Sequence, residues 1–169
     1  MYPNSHTFAQ HTSLDEMGSR YDRKGNFRQL WTAEDHQAYS VFKGVMIQQM
    51  AESDMSFPFN ESVSCEENLA DLHGLSLAIG AFQATMEKEN ISLESRIDGF
   101  TPWQRFFMAW AKVWREVKSS SGVAQPTVHG PNEFRCNNPL RNMDRFHETF
   151  YIPESSGMYL AKEERLRVW

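Results

Sequence analysis

The sequence predicts a mainly α-helical fold with at most a small β element near the N-terminus. Three observations carry this. Apolar and aromatic residues recur at three- and four-residue spacing in the segments near 33–52, 66–89 and after 101. Helix-opening signals stand at Thr32 and at Thr101-Pro102. The only hairpin-like signal is a tight turn before residue 32.

The first 30 residues are polar and turn-rich, and "YDRKGNFRQLW" holds Lys24-Gly25-Asn26 between short aromatic segments. Thr32 reads as an N-cap with Asp35 three residues on, a partial capping box. The helix it opens, about 33–52, places Tyr39, Phe42, Val45, Met46 and Met50 near one face. "SDMSFPFNESVS" reads as a loop. A second helix, about 66–89, follows with Glu66, Glu67 and Asp71 at its start and apolar residues after them. "NISLESRIDGF" connects to a third helix, where Thr101 caps, Pro102 takes the first position and Gln104 completes the capping box. Its stripe of Phe106, Phe107, Trp110, Val113, Trp114 and Val117 reads as core. Residues 119–140 read as a loop, and a short helix is expected near 139–150. No repeat or low-complexity segment is present.

At 169 residues, with 40% apolar and 23% charged residues, the chain is long enough for one domain with a real core. A net charge of −5 without a basic run argues against nucleic-acid binding. The apolar stretches fall short of a membrane span, and "MYPNSHTFAQHTSLDE" lacks the charged-then-apolar pattern of an export signal, so a soluble chain with no membrane segment is expected. Cys65 and Cys136 are compatible with either one disulfide or two thiols.

Glu67 and Asp71 are four apart, so on a helix they stack on one face. One reading is that acids in a first turn suit the helix dipole. The other is a bound cation, with one carboxylate as ligand and the other orienting a neighbouring ligand.

"ENLAD" followed by "GLSLA" resembles the Glu-Asn-x-Ala-Asp signature of the neprilysin and endothelin-converting-enzyme family of zinc metallopeptidases. Further similarities follow in order. "GSRYDRKGNFRQLWTAEDHQAY" resembles the segment after the family's first zinc motif, and "TPWQRFFMAWAKVW" its aromatic helix. "VHGPNEFRCNNPLRNMDRFHETF" resembles its His-x-Pro-x-x-Phe-Arg segment, and "EERLRVW" its C-terminal end. The resemblance runs from about Gly18 to Trp169. It implies the C-terminal portion of a thermolysin-like (gluzincin) catalytic domain, with residues 1–17 as a degenerate zinc-helix region and 18–169 as the C-terminal peptidase subdomain.

The resemblance makes Glu67 the third zinc ligand and Asp71 the carboxylate that holds a zinc-binding histidine. It makes His129 the histidine that stabilises the oxyanion and Arg135 an arginine that meets the substrate peptide or helps fix the site. Zn2+ is the implied cofactor. The implied partners are a peptide and the family's N-terminal helical domain, and the implied location is secreted or a membrane ectodomain. Catalysis in the family needs His-Glu-x-x-His, two ligands with a general base between them. That motif should fall near residues 8–12, where the chain reads "SHTFAQHTSLDEMGSRYD". His11 matches the second histidine if one residue is inserted before Gly18. His6 lies five residues from it, about 140° round a helix at roughly 100° per residue, and is the weaker candidate. Thr7, Phe8, Ala9 and Gln10 between them supply no acid. The sequence therefore predicts a peptidase fragment, inactive as an isolated chain. The alternative is a non-catalytic pseudopeptidase or a helical module that binds peptides or a partner.

Overall fold

The computed structural model describes residues 20–22, 24–53, 61–117 and 129–167, the side chains of 61–63 excepted. Five helices lie among them: α1 (Ala33–Ala51), α2 (Glu61–Lys88), α3 (Pro102–Val113), α4 (Asn132–Arg141) and α5 (Asp144–Phe150). The only β pairing among the described residues is two single antiparallel bridges, Tyr21 with Phe27 and Ile97 with Phe100. The first closes the turn expected before residue 32. Asp22 accepts from the backbone N–H groups of Lys24 and Asn26 at 2.8 and 3.0 Å, and Gly25 takes φ +78°, a conformation that favours glycine.

The chain divides into two compact units, Met1–Leu75 with Thr127–Gly130, and Ser76–Pro126 with Pro131–Trp169. In the first, α1 packs on the early turns of α2. Tyr39, Phe42, Met46 and Met50 repeat at helical spacing and are all buried, as are Cys65, Leu69, Ala70, Leu72 and Leu75 of α2. Thr32 opens α1 with a complete capping box: its hydroxyl accepts from Asp35 N–H at 3.2 Å, and the Asp35 carboxylate accepts from Thr32 N–H at 2.8 Å.

α2 begins at Glu61, five residues before the expected start. Ser64, read as loop, and Cys65 after it are fully buried helix residues. The polar run before residue 66 conceals this because hydroxyl side chains carry no helical stripe.

The second unit is built on aromatic rings. Phe107 lies within 5.3–6.2 Å, ring centre to centre, of Trp103, Phe106, Phe146 and Phe150, and Phe82 joins from α2 at 5.0 Å from Phe106. The capping box of Thr101 and Gln104 opens α3 as the sequence predicts. The stripe ends sooner than expected. The helix stops at Val113, and Val113 and Val117 are 71% and 99% exposed rather than core.

The loop expected over 119–140 is also corrected in part. Residues 132–141 form α4, and 144–150 form a separate helix, α5. Pro139 invites reading as a helix start, yet it sits in the last turn of α4, where its missing N–H interrupts the ladder only two residues before the helix ends.

The segment after α5 is clasped back onto it. Arg165 donates to Leu160 C=O at 2.9 Å and to the Asp144 carboxylate at 2.7 Å, and Leu166 N–H donates to the Asn142 side-chain oxygen at 2.7 Å. His147 joins this clasp. Its Nε2 donates to Arg141 C=O at 2.8 Å, and Nδ1 is buried with no hydrogen-bond partner. Burial first, then the Arg165 and Arg141 guanidinium groups, hold its pKa below the ordinary 6.5 against the opposing pull of that carbonyl and Asp144. A histidine whose folded pKa is depressed gives stability at neutral pH that is lost as pH falls below 6.5 toward the folded value. Thermal melts at pH 7.5 and 5.5 should therefore show a larger acid loss for the wild type than for His147→Gln; equal losses would remove His147 from the clasp.

Candidate functional site

The early half of α2 presents the carboxylates. Because the helix starts at Glu61, Glu66 and Glu67 lie in its second turn and Asp71 further in, past the first turn to which the dipole effect is confined. Their placement is not a helix-start effect. Glu66 instead pairs with Lys43 Nζ of α1 at 3.4 Å.

Glu67 Oε2 lies 3.4 Å from His129 Nδ1, with the two side chains 21% and 40% exposed. Asp71, one turn along the same face, has no exposed surface and is engaged by neighbouring groups. An ionised carboxylate is costly to bury without compensation, so Asp71 is a committed position rather than a solvated one. Beside it, Asn68 is fully buried and donates to Ser64 C=O at 2.8 Å. His73 packs its ring 5.9 Å from Phe42, and burial lowers its pKa.

Of the sequence-predicted residues, the structure brings together Glu67 and His129, with Asp71 on the same helix face as Glu67. Arg135 belongs to the second unit. It is a buried residue of α4, not of a loop, and its guanidinium lies 4.4 Å from the centre of the Trp114 ring. Trp110, one turn back on α3, donates its indole N–H to Cys136 C=O at 3.0 Å. Two tryptophans four apart thus flank the Arg135–Cys136 pair, one by its ring face and one by a hydrogen bond. Sequence reading assigned both rings to the core and missed this contact; the four-residue spacing was its only trace. His6 and His11 lie outside the described residues.

Both cysteines are free, and burial pushes both thiols up to about 11, which leaves them protonated and poor nucleophiles near neutrality. Among the described residues no group of three or more His, Cys, Asp or Glu side chains is placed to hold a metal. The carboxylates that α2 presents are thus one partly exposed side chain, Glu67, and one buried side chain, Asp71. No described helix is long and apolar enough to cross a membrane.

Comparison with known proteins identifies the family and the fold. The model of peptidase family M13 matches residues 5–166. A neutral endopeptidase of Lactococcus lactis is 32% identical over 163 residues, which are 93% of this chain and 24% of that protein. Endothelin-converting enzyme 1 of Bos taurus is 29% identical over 161 residues, 93% of this chain and 21% of that enzyme. A solved zinc metalloprotease of Mycobacterium tuberculosis, in complex with an inhibitor, superposes with a TM-score of 0.82 at 30% identity, over 98% of this chain and 26% of that one. The chain spans about a quarter of the length of these relatives. The mainly α fold is that of the C-terminal part of their catalytic domains, as the ordered motifs predict. The chain belongs to peptidase family M13.

Proposed function

We propose that the chain carries the C-terminal part of the active site of a neprilysin-like zinc metalloendopeptidase and does not cleave peptides by itself. The observation that carries the reading is the Glu67–His129 contact at 3.4 Å with Asp71 buried one turn along the same helix. In this reading Glu67 is a metal ligand, and Asp71 orients a histidine ligand by accepting from its second ring nitrogen. His11 is the residue that fits that ligand position, and His6 fits it less well. Zinc, when bound, supplies a Lewis acid and a water acidic enough to attack a peptide carbonyl near neutral pH. In the same reading His129, which lies beside Glu67 and is partly exposed, donates a hydrogen bond to the carbonyl oxygen as negative charge grows there. Arg135 keeps the role that the resemblance gives it, as a guanidinium that meets a backbone carbonyl or carboxylate of the peptide or helps fix the site.

Residues 7–10 contain no acid to take the proton from the attacking water. That absence supports inactivity of the chain as given, and it favours a second reading as a pseudopeptidase that binds peptides without cutting them. In either case the chain works with the family's N-terminal helical domain, in a secreted or ectodomain setting.

Metal content and cleavage, measured on one preparation, test the proposal. Zinc binding without chelator-sensitive cleavage of a peptide bearing an apolar residue after the scissile bond is the expected result. Stoichiometric zinc with cleavage overturns the inactivity. Absence of both zinc and peptide binding overturns the site and leaves a plain helical interaction domain.

A further inference from the structure

We infer that Asn90 is an acceptor for an N-linked glycan. The residues are Asn90-Ile91-Ser92, the Asn-x-Ser pattern with no proline between. Chance alone produces such triplets, so the geometry has to carry the argument. Asn90 lies two residues past the end of α2. Its backbone is left-handed at φ 52°, its N–H bonds Glu87 C=O at 3.2 Å, and Ile91 N–H bonds Met86 C=O at 2.9 Å. This is a Schellman cap, in which the asparagine itself turns the chain away from the helix end.

Asn90, Ile91 and Ser92 are all exposed. Ser92 Oγ faces the turn that follows, accepting from Glu94 N–H at 3.2 Å, and is within reach of solvent. The amide nitrogen and the hydroxyl two residues on are therefore both presented on a tight, solvent-facing turn.

A second observation points the same way. The connector that carries the triplet exposes Ile91 (44%), Leu93 (51%), Ile97 (58%) and Phe100 (44%) to water. Four apolar side chains within ten residues form a surface that a bulky hydrophilic group at Asn90 would shield. The other Asn-x-Ser triplet, Asn60-Glu61-Ser62, runs into helix α2, where Ser62 is a helical residue.

The modification is a glycosyl transfer from a lipid-pyrophosphate-linked oligosaccharide. Asn90 Nδ2 attacks the anomeric carbon, a carbon–nitrogen bond forms, the bond from that carbon to the pyrophosphate oxygen breaks, and the lipid pyrophosphate leaves as the amide gives up one proton. The inference rests on the secreted or ectodomain setting proposed above, not on the zinc reading.

The test is to direct the full chain into the secretory pathway of yeast behind a cleavable signal, as wild type, Asn90→Gln, Ser92→Ala, Ser92→Thr and Asn60→Gln. Peptide mapping of the total lumenal pool after PNGase F, which leaves aspartate at a formerly glycosylated position, reads occupancy whether or not a variant folds. Occupancy of position 90 is expected in the wild type, Asn60→Gln and Ser92→Thr, with complete loss in Asn90→Gln and Ser92→Ala. PNGase F should also strip the folded wild type under native conditions. An unmodified position 90 in the wild type, or occupancy of position 90 that survives Ser92→Ala, overturns the inference.

Discussion

Glu67→Gln is expected to lower zinc affinity by about 100-fold or more while leaving the melting temperature nearly unchanged. The carboxylate is partly exposed and its visible partner, His129, is more exposed still. A pair so open to water contributes roughly 0–1 kcal/mol to folding, so its loss costs little. As a metal ligand the same group acts differently, because the amide oxygen of glutamine is neutral and a far poorer donor to Zn2+ than a carboxylate. Groups that only orient a ligand typically cost about 10–100-fold when replaced, and a direct ligand should cost at least the upper end of that range. Asp71→Asn provides the comparison. It should fall inside the 10–100-fold range, and it should also destabilise, since Asp71 has no exposed surface and is engaged by neighbouring groups. Equilibrium dialysis with zinc and thermal melts on the same samples separate the two effects. Unchanged zinc affinity in Glu67→Gln would remove Glu67 as a ligand and return the acids of α2 to a structural role.

The parts of the fold that could be read in advance are those governed by neighbours in sequence. Thr32 with Asp35 and Thr101 with Gln104 each close a local capping box, and both helices begin where those residues predict. The buried face of α1 follows from helical spacing alone. Failures cluster where long-range contacts decide. Ser64 reads as loop because its own chemistry is weakly helical, yet it is fully buried beside Cys65, which contacts α1. α4 holds together across Pro139 because Phe134, Cys136 and Leu140 bury their side chains and Trp110 binds its backbone, none of which a proline-and-asparagine-rich string reveals. The site divides the same way. The Glu67 and Asp71 pair is visible as a four-residue spacing, but its meeting with His129, far away in sequence, was legible only through the resemblance of ordered motifs. The Trp114 platform under Arg135 was not legible by either route.

Phe107→Ala should be the most damaging single substitution in the second unit. The ring is 2% exposed and is contacted by four aromatic neighbours: edge-to-face with Phe106 and Phe146, stacked on Trp103 and tilted against Phe150. Truncation removes the transfer free energy of the ring and leaves a cavity whose walls are rigid planar groups drawn from its own helix and from α5, so little collapse can fill it. Such changes cost about 3–5 kcal/mol, a large share of the roughly 5–15 kcal/mol that holds a domain folded. At roughly 3 °C per kcal/mol for a chain of this size, the melting temperature should fall by about 10–15 °C. Phe107→Leu keeps most of the volume but loses the edge-to-face geometry, and should cost roughly half as much or less. Val113→Ala is the control. The expected stripe grouped Val113 with Phe107, yet it is 71% exposed, so its loss should shift stability by no more than about 0.5 kcal/mol. A Val113→Ala penalty comparable to that of Phe107→Ala would mean that α3 buries a wider face in solution than its helix end allows, and that the aromatic cluster does not anchor the second unit alone.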